Sequence, residues 1–559
     1  VEIVGRVILT QLQAWADNNN ILSDVQYGFR KGRGTVDQCL NLHLIISKYT
    51  MARAGTVYLA FMDLSSAFDR VNRSKLWAVM ESMGVDAKLL SFLKDLHLDL
   101  KARVRYGQGG ECTNQFGLKR GVRQGCIMAP FLFLLYINNL ENTLVANCLD
   151  LPKIDSRSVA SLLYADDVVL IARTGVGLQR LINTFVDFMD SLDLNTNIAK
   201  SQAMIVGSKP RKRMSFFVKG QPIQVVKTFS YLGILFDTGR SWSKLVNHRM
   251  LVTNRTIQGL FDFATRLGHS PSDTMLRIYN AKAISVATYG CELWGHVNIL
   301  PLQLIENKFC KRLLGLPLST SNYAIHEELG LTYISDLIEL RPLLMWLRIW
   351  VNVELSLNRA IIRDCLNQDG RDNIAWLEYI RNGFSWLGRP DLFSNPTIIT
   401  KKDYIWVKHT FLDRKRIDRE YKELPKPLVR HIILLQTVPG MEEYLCKGVN
   451  RYHRFLLVRF RFNMIHHLLA FPLGWHKDLE RPPCPCDNHS KQDTMHFVFF
   501  CAFFAKLRRH FIIPIFKEYR FSQCKPALFY LQLLPSQPLA FAIACFLAGA
   551  IRLRKQILV

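Results

Sequence analysis

Tyr164-Ala165-Asp166-Asp167 sets two adjacent carboxylates between short apolar runs at residues 158–163 and 168–172. Runs of that length around a tight polar turn predict a β-hairpin with both aspartates at its tip. Neighbouring carboxylates repel unless a cation neutralises them, and a divalent metal with oxygen ligands is the usual solution. With a third carboxylate facing them, such a tip can hold two Mg²⁺ ions for in-line phosphoryl transfer. A pair of solvated turn residues is the bland alternative, and the remaining segments decide between the two.

The third carboxylate is expected on a neighbouring strand. Thr56–Met62 (TVYLAFM) is rich in β-branched and aromatic residues and runs directly into Asp63. Asp69 competes for the role, but it falls on the turn before a helical pattern that starts at Asn72, so it reads as structural, a cap. Residues 117–139 (GLKRGVRQGCIMAPFLFLLYINN) form a glycine-rich basic turn leading into a long apolar helix, with Pro130 near its start. The glycines permit close backbone approach, and Lys119, Arg120 and Arg123 supply charge for phosphates. Gln124 and Gly125 could line a pocket beneath a nucleotide.

Those elements sit in a chain of 559 residues, enough for several domains, with 49% hydrophobic and 11% aromatic residues. Lys and Arg number 72 against 46 Asp and Glu, a net charge of +26 that suits a polyanionic partner. The apolar run at 539–551 is too short to span a bilayer, so it reads as a buried helix and nucleic acid is the better partner. Most of the thirteen cysteines are scattered singly, as buried thiols in a reducing compartment would be. No signal peptide is visible, and the chain opens at Val1 inside a helical pattern, as a fragment of a longer product would.

Residues 241–345 carry helical periodicity and many cations, whereas 336–353 is apolar and reads as core. Residues 451–467 (RYHRFLLVRFRFNMIHH) interleave Arg and His with aromatics. Two readings stand there: stacking on unpaired bases, or an amphipathic strand over 456–462. Cys484, Cys486, His496 and Cys501 form a set suited to tetrahedral Zn²⁺, with His489 and Cys524 as substitutes and buried thiols as the alternative.

Asp63-(x)4-Phe68, Arg123-Gln124-Gly125 and Tyr164-Ala165-Asp166-Asp167 stand in the order and spacing of reverse transcriptase motifs. Residues 26–38 (QYGFRKGRGTVDQ), 227–234 (KTFSYLGI) and 287–294 (ATYGCELW) resemble non-LTR (LINE-type) retrotransposon reverse transcriptases. The resemblance covers most of the chain, and Met128-Ala129-Pro130 stands where many relatives have Leu-Ser-Pro. It lacks the Arg-Pro-Ile-Ser-like run upstream and an N-terminal endonuclease, which marks an N-terminally truncated member.

The resemblance implies an α/β (α+β) right-hand polymerase, with an antiparallel-sheet palm at 56–240 and partial fingers at 1–55. A helical thumb would follow at 241–345, a mostly helical nucleic-acid-binding linker at 346–470 and a zinc-knuckle-like region at 471–559. Asp63, Asp166 and Asp167 would bind two Mg²⁺ ions, and Lys200 would protonate pyrophosphate. Phe68 would exclude a ribose 2′-hydroxyl. Arg30, Arg123, Gln124, Gly125 and Tyr164 would contact the nucleotide, and Phe229, Tyr231, Leu232 and Gly233 would grip the primer. The implied partners are template RNA, a DNA primer from the target site and dNTPs. The implied setting is an intracellular ribonucleoprotein, nuclear and cytoplasmic and not secreted. Two other functions are weighed: a viral-type RNA-dependent RNA polymerase, against which Phe68 argues, and a catalytically impaired remnant that only binds nucleic acid.

Overall fold

The computed structural model describes residues 2–51, 55–98, 100–106, 111–122, 125–208, 214–266, 272–367, 374–426, 445, 451–462, 486, 496–514 and 537–555. The chain divides into two compact units. Unit 1 is Val1–Leu245 with Gly290–Val297 and Arg341–Val407; unit 2 is Val246–Tyr289, Asn298–Leu340 and Lys408–Val559.

Unit 1 is organised by a six-stranded sheet. Its strands are β1 (Thr56–Met62), β2 (Ser161–Tyr164), β3 (Asp167–Ala172), β4 (Gln202–Gly207), β5 (Phe216–Val218) and β6 (Gln221–Val226), in the order β5-β6-β4-β1-β3-β2. Pairings are antiparallel except β4 with β6, which is parallel. The central position of β1 follows from its composition, since a strand flanked on both edges and buried for most of its length must be nearly all apolar. Helices Thr35–Thr50 and Gly175–Ser191 pack against it. The second of these is capped by Thr174, whose hydroxyl accepts from the Gly177 amide at 3.0 Å. Its buried stripe of Leu178, Leu181, Ile182, Phe185, Val186 and Met189 has the 3–4 spacing of a one-faced helix.

The long apolar helix expected within 117–139 is shorter than its composition predicts. It spans Ala129–Tyr136, and a second helix covers Leu140–Ala146. Asn138 lies between them, its amide donating to the Ile21 carbonyl and accepting from the Ser23 amide.

Unit 2 is helical. Its core gathers Leu456, Leu457, Phe460, Phe497, Phe504 and Phe546 from segments far apart in sequence. Residues Arg451–Arg461 are an α-helix, which overturns the strand reading. Arg454, Arg459 and Arg461 are buried, so the expected stacking surface for bases is not offered by these three. Arg461 pairs with buried Glu328 at 2.7 Å, and Arg459 lies over Phe455 and donates to the Gly315 carbonyl. Among the described residues no helix is long and apolar enough to cross a membrane; the 539–551 run lies in helix Gln537–Lys555 of this core.

Candidate active site

The strand register brings the carboxylates together. Met62 of β1 faces Val168 of β3, so Asp63 and Asp167 extend the same pairing by one step at neighbouring strand ends. Tyr164 faces Asp167, leaving Ala165 and Asp166 as a two-residue turn. The three side chains feel one another. Burial, then the charges of Asp166 and Asp63, raise the Asp167 carboxyl to about 6. The Asp166 carboxyl is likewise raised, by burial first and also by the Asp63 charge. Oxygen-only donors held in mutual repulsion fit divalent cations of the Mg²⁺ type.

The turn is clamped from a distant segment. Ala165 has a φ of 56°, a left-handed conformation that side-chained residues avoid. Its amide donates to Gln26 Oε1 at 2.9 Å, and the same oxygen accepts from the Gly28 amide at 2.8 Å. Residues 25–27 run beside β2: the Tyr27 amide donates to the Leu163 carbonyl and the Leu163 amide to the Val25 carbonyl. Buried Gln38 donates its side-chain amide to both carbonyls. Gly28 lies so close that a Cβ there would stand 2.4 Å from the Ala165 nitrogen. Gln26, Gly28 and Gln38 were visible only as letters of a motif; their positioning role was missed.

Glu141 buttresses the other end of β2, accepting from the Ala160 amide at 2.8 Å and from the Ser161 hydroxyl at 2.5 Å. Burial pushes its carboxyl up to about 7, against the opposing pull of the Ser161 hydrogen bond. A folded-state pKa above the ordinary 4.5 means that the folded protein holds this proton more tightly than the unfolded chain. The resulting stability is complete below pH 4.5 and is lost as pH rises to about 7. Glu141→Gln is therefore expected to remove up to ~3 kcal/mol of that decline. Urea unfolding at pH 5 and pH 8 checks it, and an unchanged difference between the two would contradict the assignment.

Residues 2–236 match the family model for reverse transcriptase (RNA-dependent DNA polymerase). The transposon X-element RNA-directed DNA polymerase of Drosophila melanogaster is 25% identical over 60% of this chain and 37% of that protein. The Pol polyprotein of retrotransposable element R2DM, also from Drosophila melanogaster, is 26% identical over 38% of this chain and 21% of that protein. The RNA-directed DNA polymerase of mobile element jockey, from the same organism, is 21% identical over 60% and 37%. This chain carries a reverse transcriptase domain of the non-LTR retrotransposon type. The chain spans between about a fifth and two fifths of the length of these relatives. A solved telomerase from Candida albicans aligns over 72% of the chain with a TM-score of 0.26 and 10% identity, too loosely to place any element.

Within the reverse transcriptase domain, the loop at 195–201 returns to Asp63. The Asn197 amide donates to the Asp63 carbonyl at 2.8 Å, and the Ser201 hydroxyl accepts from the Asp63 amide at 3.2 Å. Lys200, one residue from that contact, is exposed. Phe68 is half-buried, with Phe133 at 4.8 Å and Phe29 at 6.5 Å between ring centres. The Val122 amide donates to the Phe68 carbonyl, and Gly121 lies where a Cβ would meet the Asp69 carbonyl at 2.8 Å. Gly125 is exposed, while Arg123 and Gln124 lie outside the described residues. Arg30 donates to the Ser23 carbonyl at 3.0 Å, and burial lowers its pKa. Asp69 sits in the short helix Ala67–Arg70.

Thr228–Tyr231 and Ile234–Asp237 form a hairpin whose turn residues, Leu232 and Gly233, both have positive φ, the geometry of a tight two-residue turn. Phe229 stacks on Phe61 of β1 at 3.8 Å. Tyr231 is buried, and its hydroxyl, raised by burial and by the charges of Cys39, Asp167 and Tyr164, has no hydrogen-bond partner among the described residues.

In unit 2, Cys486, His496 and Cys501 place their ligand atoms within 4.8 Å of one another, with Cys486 Sγ 3.3 Å from His496 Nε2. A π-helical turn over His496–Phe500, closed by the Cys501 amide on the His496 carbonyl, brings two residues five apart into register. Cys484, His489 and Cys524 lie outside the described residues.

Proposed function

We propose that the chain is an RNA-directed DNA polymerase that adds dNMP to a DNA 3′-hydroxyl during target-primed reverse transcription. The observation that carries this reading is the convergence of Asp63, Asp166 and Asp167 at adjacent strand ends inside the matched domain. Two Mg²⁺ ions held there would supply activation of the primer hydroxyl and charge neutralisation at the leaving pyrophosphate.

The chain's own residues do the rest. Phe68 fills the space that a ribose 2′-hydroxyl would need. Lys200 delivers a proton to the departing pyrophosphate. Arg30 and Arg123 hold the triphosphate, with Tyr164, Gln124 and Gly125 beneath the nucleotide. Phe229, Tyr231, Leu232 and Gly233 align the primer end. In right-hand terms, residues 1–55 belong to the fingers, 56–240 are the palm, 241–345 the thumb, 346–470 a linker and 471–559 a zinc-knuckle-like region. Template RNA, DNA primer and dNTPs are the partners, in an intracellular ribonucleoprotein.

Sugar selection tests this reading. The parent is expected to extend a DNA primer on an RNA template with dNTPs and to reject rNTPs. Phe68→Ala is expected to narrow that preference by about 10- to 100-fold, because steric exclusion is lost while phosphate and base contacts remain. Equal use of both sugars by the parent would sink the assignment.

Cys486, His496 and Cys501 fit three ligands of a structural Zn²⁺ site, and Cys484 is the fourth candidate that the sequence offers. One zinc per chain is expected by elemental analysis. Cys501→Ser should lower both that content and the unfolding temperature, and a chain that purifies without zinc at full stability would contradict the site.

A further inference from the structure

Phe29 has no role in the mechanism above, yet its situation calls for one. Its side chain is 51% exposed, and its φ of 53° lies in the left-handed region. A single exposed apolar side chain is ordinary, but one held in a disfavoured backbone conformation is not. Both neighbours are pinned. The Gly28 amide is bound to Gln26 Oε1, the oxygen that also holds Ala165 of the aspartate turn, and Arg30 is bound to the Ser23 carbonyl. Phe29 is therefore fixed to the loop that touches the catalytic turn.

Its ring meets Phe68 edge to face, 6.5 Å between centres and 86° between planes, and Phe68 leans on Phe133. Three rings thus run from the core of unit 1 out to solvent, the outermost next to Gly28, which abuts the aspartate turn. Whichever ring presents its edge, one face of Phe29 is left uncovered by Phe68. An anchored aromatic face beside a nucleotide pocket has the chemistry to stack on a nucleobase.

We infer that Phe29 is a base-stacking residue of the polymerase pocket, packing on a nucleobase at the active-site end of the template–primer. This rests on the polymerase reading. The base belongs either to the incoming nucleotide or to the duplex terminus, and the two sources separate by readout.

The test compares the parent with Phe29→Trp, Phe29→Leu and Phe29→Gly. It measures the KM for dTTP and the Kd for a poly(rA)–oligo(dT) duplex. Phe29→Gly is expected to weaken one of the two by about 10- to 100-fold, with Phe29→Leu close to it and Phe29→Trp within about threefold of the parent. A rise in KM assigns the incoming base; a rise in Kd assigns the template or primer base. Phe29→Gly should melt no lower than the parent, because glycine adopts positive φ without strain. A ring that served only to pack on Phe68 would instead lower the melting temperature and leave KM and Kd alone, which would overturn the inference. So would a Phe29→Trp variant as impaired as Phe29→Gly. Failure of the polymerase reading is distinct, since no protein in the series would then extend the primer.

Discussion

Asp63→Asn and Asp167→Asn are each expected to lose about 10³-fold or more of primer extension, a transition-state loss of ~4 kcal/mol or greater. Template–primer binding should change little. The physical reason is charge: an amide keeps the shape of the side chain but neither repels its neighbours nor holds a divalent cation well. The same change has a second consequence of opposite sign. Burial and the charges of Asp166 and Asp63 hold the Asp167 carboxyl at about 6, so above that pH the metal-free fold carries a charge it disfavours. Asp167→Asn removes that charge, and the metal-free variant should melt higher than the metal-free parent at neutral pH. Activity lost together with stability gained is the signature of a site arranged for function. A variant that loses both would mean that Asp167 serves the fold instead. Single-turnover extension and thermal melting in chelator read the two effects.

Gly28→Ala is the second large effect, and it arises away from the chemistry. The added Cβ would lie 2.4 Å from the Ala165 nitrogen, well inside van der Waals contact, and what it meets is backbone. Neither a rotamer change nor a flexible side chain can absorb the clash, so the aspartate turn or residues 25–28 must shift by roughly 1 Å. A displacement of that size costs about 100-fold in rate where reacting groups must be held in line. Overpacking should also destabilise the fold by about 1–3 kcal/mol. Gly117→Ala is the matched control, because a Cβ there meets nothing within 4 Å. Extension by Gly28→Ala at the rate of Gly117→Ala would show that the clamp on the turn does not matter.

The carboxylate site was readable from the sequence because each part announces itself locally. TVYLAFM can hardly be anything but a buried strand, and the polar interruption between residues 158–163 and 168–172 forces a turn at the aspartates. The hairpin that holds Phe229–Gly233 was expected from the family resemblance and not from local pattern. What holds these parts was not, because it is non-local. Gln26 reaches Ala165 across 139 positions, and nothing in its neighbours predicts that. Arg461 finds Glu328 across 133 positions, so its stretch looked like an alternating, exposed segment when it is a helix whose guanidinium faces the interior. Asn138, between two short helices, bonds to Ile21 and Ser23, again beyond the reach of periodicity. Buried polar side chains with distant partners are where this sequence was least readable.

The most direct test is extension of oligo(dT) on poly(rA) with Mg²⁺ and dTTP, by the parent and by Asp166→Ala side by side. Extension by the parent and none by the variant is expected, with both proteins binding the duplex equally. Silence from both with the duplex still bound, or equal extension by both, would contradict it.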